Sequence, residues 1–299
     1  MNRYVMGIGV TLGACRPAFN EDAALVTTAR VLAVKNEPAE AKPGTAVSFA
    51  AFIALPQSFT SVAPPTWSFC IAPKPPTEDN VVSSACLEAA SLLSVGEGLT
   101  VMAETPSNAC TQFGPNAAAS GFRPRDPDDT GGYFQPLRVD LNGADPVFHL
   151  ERVSCGLADA SADIATEFGH EYVPNENPHL APVSATSAGQ SIDFDHIPAG
   201  AQLELVASWS APDAESYAYF DRAAQTVTTR RESMRVAWYV SAGKLDTEST
   251  GHAEDDPALT SSNVWTAPDA PGSAKLWVVL RDSRGGVDFE AYDLTVLAQ

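Results

Sequence analysis

Positive charge is scarce in this chain of 299 residues: 18 Lys and Arg stand against 37 Asp and Glu, for a net charge of −19. A surface of that sign repels phosphates, which excludes DNA and RNA as partners. Long apolar runs are also scarce. Residues 4–14 are uncharged and largely apolar, but a stable bilayer-spanning helix needs roughly 20 residues, and no other segment reaches that length. Catalytic signatures are absent as well. There is no Gly-x-Ser-x-Gly elbow. His170-Glu171 opens like a zinc-protease helix, but the position four places after His170 is Pro174, so the second ligand is missing. His149, His170, His179, His196 and His252 are scattered. Gly7, Gly9 and Gly13 miss the dinucleotide-binding spacing by one place. Carboxylates are too plentiful for a glycosidase pair to be picked out. A non-enzymatic protein is the expectation.

What the chain does have is 44% hydrophobic residues, 23 Pro and 20 Gly. Short apolar runs bounded by turn residues predict an all-β protein, and the length predicts about two domains. Leu276, Val278 and Leu280 alternate with Trp277 and Val279, then Gly285-Gly286 turns the chain into a final strand. In that strand the apolar phase slips from Val287 and Phe289 to Tyr292, Leu294 and Val296, which predicts a bulge near Ala291. Val236, Trp238 and Val240 read as a half-buried strand around a central Trp. The order of turn, strand and Trp-bearing strand occurs twice, around Trp67 and around Trp238. Further strands are expected at 29–34, 47–53, 99–103, 135–141 and 148–153. Short helices are expected at 86–93 and at 162–172, the latter capped by Ser161.

Trp238-Tyr239-Val240-Ser241-Ala242-Gly243, then Trp265-Thr266-Ala267-Pro268, Pro271-Gly272 and the closing strands resemble the second half of bacterial immunoglobulin-like modules of the PKD and Big type. The resemblance implies two immunoglobulin-like β-sandwiches in tandem. It carries no activity, because this fold hosts many unrelated functions. The expected organisation is a signal at 1–14, a tether at 15–28, and a first domain at 29–173 with an insertion at 73–134. A linker at 174–181 and a second domain at 182–299 follow.

Arg3, the apolar stretch and Leu12-Gly13-Ala14-Cys15 have the features of an export signal. They resemble the lipobox of bacterial lipoproteins. The resemblance implies cleavage before Cys15, lipid on Cys15, and anchoring to the bacterial cell envelope at the outer membrane, since Arg16 is not the Asp of inner-membrane retention signals. Several acyl chains on one residue give durable anchoring. In an exported protein the four remaining cysteines favour two disulfides. Three connectivities are open. Trp67, Phe69 and Ile71 are expected to face inward, which turns Cys70 outward to staple a loop, so Cys70–Cys86 with Cys110–Cys155 is the pairing favoured. No Cys-x-x-Cys pair supports a zinc site.

Two constellations could hold ligands. Asp126, Asp128 and Asp129 precede Gly131-Gly132 and offer oxygens for calcium, although the closing Glu of an EF-hand loop is missing; an ordinary solvated turn has the same composition. Gly200 to Trp238 spans 38 positions where Gly44 to Trp67 spans 23. The extra residues carry Tyr217, Tyr219, Phe220, Arg222, Arg230, Arg231 and Arg235, a set suited to stacking a sugar or apolar partner and to holding a carboxylate. An extra hairpin packed on the sheet is the plainer alternative. The expected role is a surface lipoprotein that binds a protein or glycan, or acts as a spacer. The other function class is a hydrolase with its site in the 73–134 insertion.

Overall fold

The computed structural model describes residues 23–56, 62–73, 78, 81–112, 129–158 and 160–298. The first half contributes strands β1 (Arg30–Glu37), β2 (Glu40–Ala41), β3 (Ala46–Ala54), β4 (Thr66–Cys70), β5 (Leu92–Glu97), β6 (Thr100–Glu104), β7 (Gly132–Asp140) and β8 (Val147–Ser154). A single helical turn α1 (Ala109–Gln112) and the helix α2 (Ala162–Glu171) accompany them. Sheet β1-β3-β6 faces sheet β2-β8-β7-β4-β5. Val47, Phe49, Trp67, Phe69, Leu137 and Val139 fill the space between. The second half contributes β9 (Ala181–Ser187), β10 (Gln190–Ser191), β11 (Ile197–Pro198), β12 (Gln202–Ser208), β13 (Ser216–Asp221), β14 (Thr226–Arg231) and β15 (Met234–Val240). It ends with β16 (Lys244–Leu245), β17 (Ser249–His252), β18 (Thr260–Thr266), β19 (Gly272–Asp282) and β20 (Val287–Leu297). Sheet β10-β9-β12-β18-β16 faces sheet β11-β20-β19-β15-β17, and β13-β14 is a separate hairpin.

The two halves share one topology. In each, the opening strand pairs with the next long strand in one sheet, and a short continuation crosses over to pair in parallel with the last strand: β2 with β8, β11 with β20. That switch, with a buried Trp on an interior strand of the five-stranded sheet that carries the crossover, β4 in one half and β15 in the other, is the immunoglobulin-like arrangement. Trp67 and Trp238 are both fully buried. Each indole also satisfies its N–H, Trp67 on the Gly98 carbonyl at 2.8 Å and Trp238 on Thr250 Oγ1 at 2.8 Å. A buried indole needs that partner.

Several expectations are corrected. The β19–β20 ladder runs from Gly272↔Val296 to Arg281↔Val287 without a break, so there is no bulge at Ala291. The apparent slip has another cause: Val287 and Phe289 pack on the first sandwich, whereas Leu294 and Val296 fill the core of the second. A straight strand passes from one hydrophobic contact to another on its opposite face. Ile71 lies beyond the end of β4 and is 37% exposed. Residues 86–93 form two short 3-10 turns and the start of β5 instead of one helix. Helix α2 does start on Ser161, whose Oγ accepts from the Ile164 N–H at 3.3 Å.

Neither the described end of the expected tether, residues 23–28, nor the expected linker hangs free. Leu25 forms a parallel bridge to Val240, Val26 N–H donates to the Val240 carbonyl at 2.7 Å, and Val26 is buried. In 174–181, Asn175 and Leu180 are 2% and 1% exposed. Leu32, Ala33 and Ala54 of the first sandwich bury Trp277 and Val279 of the second, with Phe52 stacked on Phe289 at 4.2 Å. The sheet containing β19 and β20 is therefore covered on both faces, which is why residues 276–280 are buried without alternation.

The sandwiches lie side by side and run in opposite directions: β1 starts beside Val240, whereas its counterpart β9 starts beside Asp288 at the other end. β1 enters beside Val240, passes Arg281, whose guanidinium donates to the Leu32 carbonyl, and reaches Asp288 through Lys35. The molecule thus has a proximal pole, where the chain enters beside the loop 241–248. At the distal pole lie residues 282–286, α2, the β13–β14 hairpin and the ends of β4 and β8 that bear Cys70 and Cys155.

Candidate functional site

The distal pole gathers most of the buried charge. Glu40 Oε2 accepts from Arg152 Nε at 3.0 Å and from Asn175 N–H at 2.8 Å, while Glu40 Oε1 accepts from Ser154 and from the Tyr172 hydroxyl. Burial raises the Glu40 carboxyl, but Arg152 and these donors outweigh it and hold it below the usual range. Burial is also the main force raising the Tyr172 hydroxyl to about 12. Arg284 donates to Glu232 at 2.7 Å, to Glu215 at 2.8 Å and to the Val173 carbonyl at 2.8 Å. Asp282 accepts from the N–H groups of Arg284 and Gly286 at 2.8 Å. Burial, and then the neighbouring Asp282, push Glu232 up to about 7. Gly286 is required by close approach: a Cβ there would lie 2.0 Å from Asp282 Oδ2 and 2.7 Å from the Glu176 carbonyl. Gly132 is packed as tightly against the Arg152 guanidinium, 2.1 Å from where its Cβ would stand. This network joins the sandwiches and is too enclosed to receive a ligand.

Beside it stands the extra segment of the second half, a regular hairpin paired from Ser216↔Arg231 to Asp221↔Thr226. Its inner face carries Ala218 and Phe220, packed with Val227 on Phe168, Ile164 and Tyr172. Its outer face carries Tyr217 and Tyr219, and Arg230 stands opposite Tyr217. The Arg230 guanidinium stacks on Tyr219 at 3.4 Å, and Arg284 lies 4.9 Å from the Tyr217 ring centre. Next to Tyr217 a shallow cleft of about 740 Å³ is lined by Arg235, His252, Glu254, Ser249, Thr250, Ser233 and Ser283, among others. Arg235 donates to Ser249 Oγ at 2.7 Å. Neither Arg230 nor Arg235 has a carboxylate partner among the described residues. His252 meets Asp256 at 2.7 Å and the Thr260 carbonyl at 2.7 Å. Its second nitrogen therefore faces a carbonyl instead of a hydroxyl nucleophile.

The proposed ligand residues are thus divided. Tyr217, Tyr219 and Arg230 share the open face. Phe220 is fully buried, a correction: at an even position of β13 it faces α2. Arg222 is committed to Asp129 at 2.8 Å, and Arg231 donates to the Asp256 carbonyl at 2.9 Å. Arg235 and His252 join the site by strand register, because β17 brings residue 252 opposite Met234. Sequence spacing alone gave no signal for His252.

Of the calcium candidates, Asp129 is occupied by Arg222, by the Tyr219 hydroxyl at 3.3 Å and, through its carbonyl, by the Phe220 N–H. Asp126 and Asp128 lie outside the described residues, as does Cys15. Among the described residues no three His, Cys, Asp or Glu side chains converge as a metal site would require. The cysteines form Cys70–Cys86 and Cys110–Cys155. In the 73–134 insertion, residues 74–77, 79–80 and 113–128 lie outside the described residues.

No protein-family model matches the chain, and no curated protein matches it in sequence. Among solved structures, Escherichia coli alpha-2-macroglobulin activated by porcine elastase aligns over 94% of this chain and 22% of its own, at 12% identity and a TM-score of 0.25. Red sea bream transglutaminase aligns over 92% of this chain and 32% of its own, at 10% identity and a TM-score of 0.25. The chain spans about a fifth to a third of the length of these two proteins. Superpositions of that quality carry no functional argument.

Proposed function

We propose that this protein is a non-catalytic binding module, exported and held to the cell envelope through lipid on Cys15, which takes acidic glycans on the outer face of its hairpin. The observation that carries the reading is Arg230 stacked on Tyr219 beside Tyr217, next to a cleft lined by Arg235. Stacked aromatic faces suit the apolar faces of sugar rings. Guanidinium edges without carboxylate partners suit a uronate or sialate carboxylate, because a bidentate charge-assisted pair is strong and directional. In a chain of net charge −19 such a cationic patch is the place where an anion meets least repulsion. Two packings support the same reading: the covered junction makes the two sandwiches one platform, and Phe220 holds the hairpin on α2.

Titration calorimetry against uronate-containing and neutral oligosaccharides of the same length tests the binding. The acidic ligand should bind, and Arg235→Ala should weaken it about 10- to 100-fold, the worth of one charge-assisted contact. Binding of neutral and acidic ligands alike, or an unchanged Arg235→Ala variant, would refute it. Metabolic labelling with palmitate, abolished by Cys15→Ser, tests the anchor.

A further inference from the structure

One face of the second sandwich collects arginines that the hairpin does not use. In the β15–β19 ladder Arg235 stands directly opposite Arg281, so both side chains leave the sheet on one face. Ala237 and Tyr239 follow Arg235 onto that face by strand alternation. Arg281 donates to the Leu32 carbonyl at 2.9 Å and to the Tyr239 hydroxyl. The Arg30 guanidinium lies 5.2 Å from the centre of the Tyr239 ring. Arg235, Arg281 and Arg30 therefore form a row along β15. Among the described residues none of them has a carboxylate within ion-pair distance. Glu248 attracts Arg30 from further off, but its Oε1 accepts from the Ala23 N–H. Arg30 Nε is buried without an acceptor. Burial lowers both Arg30 and Arg281, and Arg235 lowers Arg281 further. Like charges opposed across a sheet cost stability, so this row lacks an anion.

We infer that Arg235, Arg281 and Arg30 form a track for an anionic chain, and that the ligand entering beside Tyr217 carries carboxylates on several successive units and continues along β15 toward Val240. Arg235 lines the cleft beside Tyr217, which makes the row continuous with the hairpin site. Arg235 is exposed, and Arg30, Arg281, Ala237 and Tyr239 are partly exposed. Four strand residues separate Arg235 from Tyr239, about 13 Å. A single carboxylate cannot engage both ends, whereas a chain with repeated carboxylates gives each guanidinium a charge-assisted partner. Only the sugar in this ligand rests on the proposed function; the row of cations is independent of it.

Titration calorimetry of the full chain with capped hexaglutamate and capped diglutamate tests the track without a sugar. Six residues reach about 20 Å and two reach about 7 Å. Hexaglutamate should bind the parent at least 10-fold more tightly than diglutamate. Arg30→Gln and Arg281→Gln should each weaken hexaglutamate about 10-fold, the worth of one charge-assisted contact. The ratio between the two peptides needs no variant, so it decides the matter even if Arg281→Gln fails to fold. No binding, equal affinity for both peptides, or full affinity in Arg30→Gln overturns the track. A hexauronate is the second ligand and should lose affinity in the same variants. If it fails to bind where hexaglutamate shows those losses, the track stands and the glycan reading falls. If it binds and both variants leave it unchanged, the track falls and the glycan reading stands.

Discussion

Glu151 shows how much a single residue can set. It is fully buried opposite Gln135 in the core of the first sandwich, and burial pushes its carboxyl up to about 7 against a counteracting hydrogen bond from Thr105. Its Oε2 and the Gln135 Oε1 have no donor among the described residues. A raised acid pKa means that the native state holds its proton where the unfolded chain does not. Stability is therefore full below the ordinary value of 4.5 and falls as pH rises toward 7. Glu151→Gln supplies the missing N–H donor and removes the ionisation. Its melting temperature should exceed the parent's at pH 8, by the equivalent of about 1–3 kcal/mol, and the advantage should shrink at pH 5. An equal gain at both pH values would sink this account. His149 on the same face moves the other way, since burial lowers it to about 4, so its contribution falls as pH drops below 6.5. Neither residue was legible in the sequence, because alternation marks a face as inward without saying how dry it is. Trp67 and Trp238 were legible, since an indole flanked by β-branched and aromatic residues in strands has few other places to go.

At the scale of elements, the hairpin and the junction are the informative pieces. The length difference between the two Gly-to-Trp intervals announced an extra excursion but not its target. Phe220 is its anchor on α2, so Phe220→Ala should cost about 3–4 kcal/mol locally. Hydrogen exchange in Ser216–Asp221 and Thr226–Arg231 should speed up while β15 and β19 stay protected. Uniform loss of protection would contradict a separately docked hairpin. Arg284 is the second test. Arg284→Met strands the buried carboxylates of Glu232 and Asp282, a loss of about 3–5 kcal/mol. Adding Glu232→Leu should restore part of it, because removing both partners is far less costly than removing one. The phase slip in β20 was visible in the sequence and misassigned to a bulge. A strand that exchanges one covering layer for another produces the same pattern as a strand that rotates.

For the whole molecule, the shared core predicts one cooperative unit. Val26, Leu32 and Ala33 bury residues of the second sandwich, so calorimetry should show one unfolding transition; two well-separated transitions would mean that the sandwiches are independent. Opening Cys110–Cys155 with paired Cys→Ala substitutions should lower that single transition, by about 4 kcal/mol for a loop of 45 residues. The sequence by itself determined the period-two strands, the doubled Trp-bearing pattern and the acidic charge, because each depends on local alternation, turn chemistry or composition; it left three pairings of the four cysteines open, and the structure closes Cys70–Cys86 and Cys110–Cys155. Only the tertiary structure decided that residues 23–28 and the expected linker are clamped, that Phe220 faces inward while Tyr217, Tyr219 and Arg230 face out, and that His252 and Arg235 stand beside them. Those outcomes depend on which surfaces of two sandwiches bury one another, and burial between distant segments leaves no periodic trace in either one.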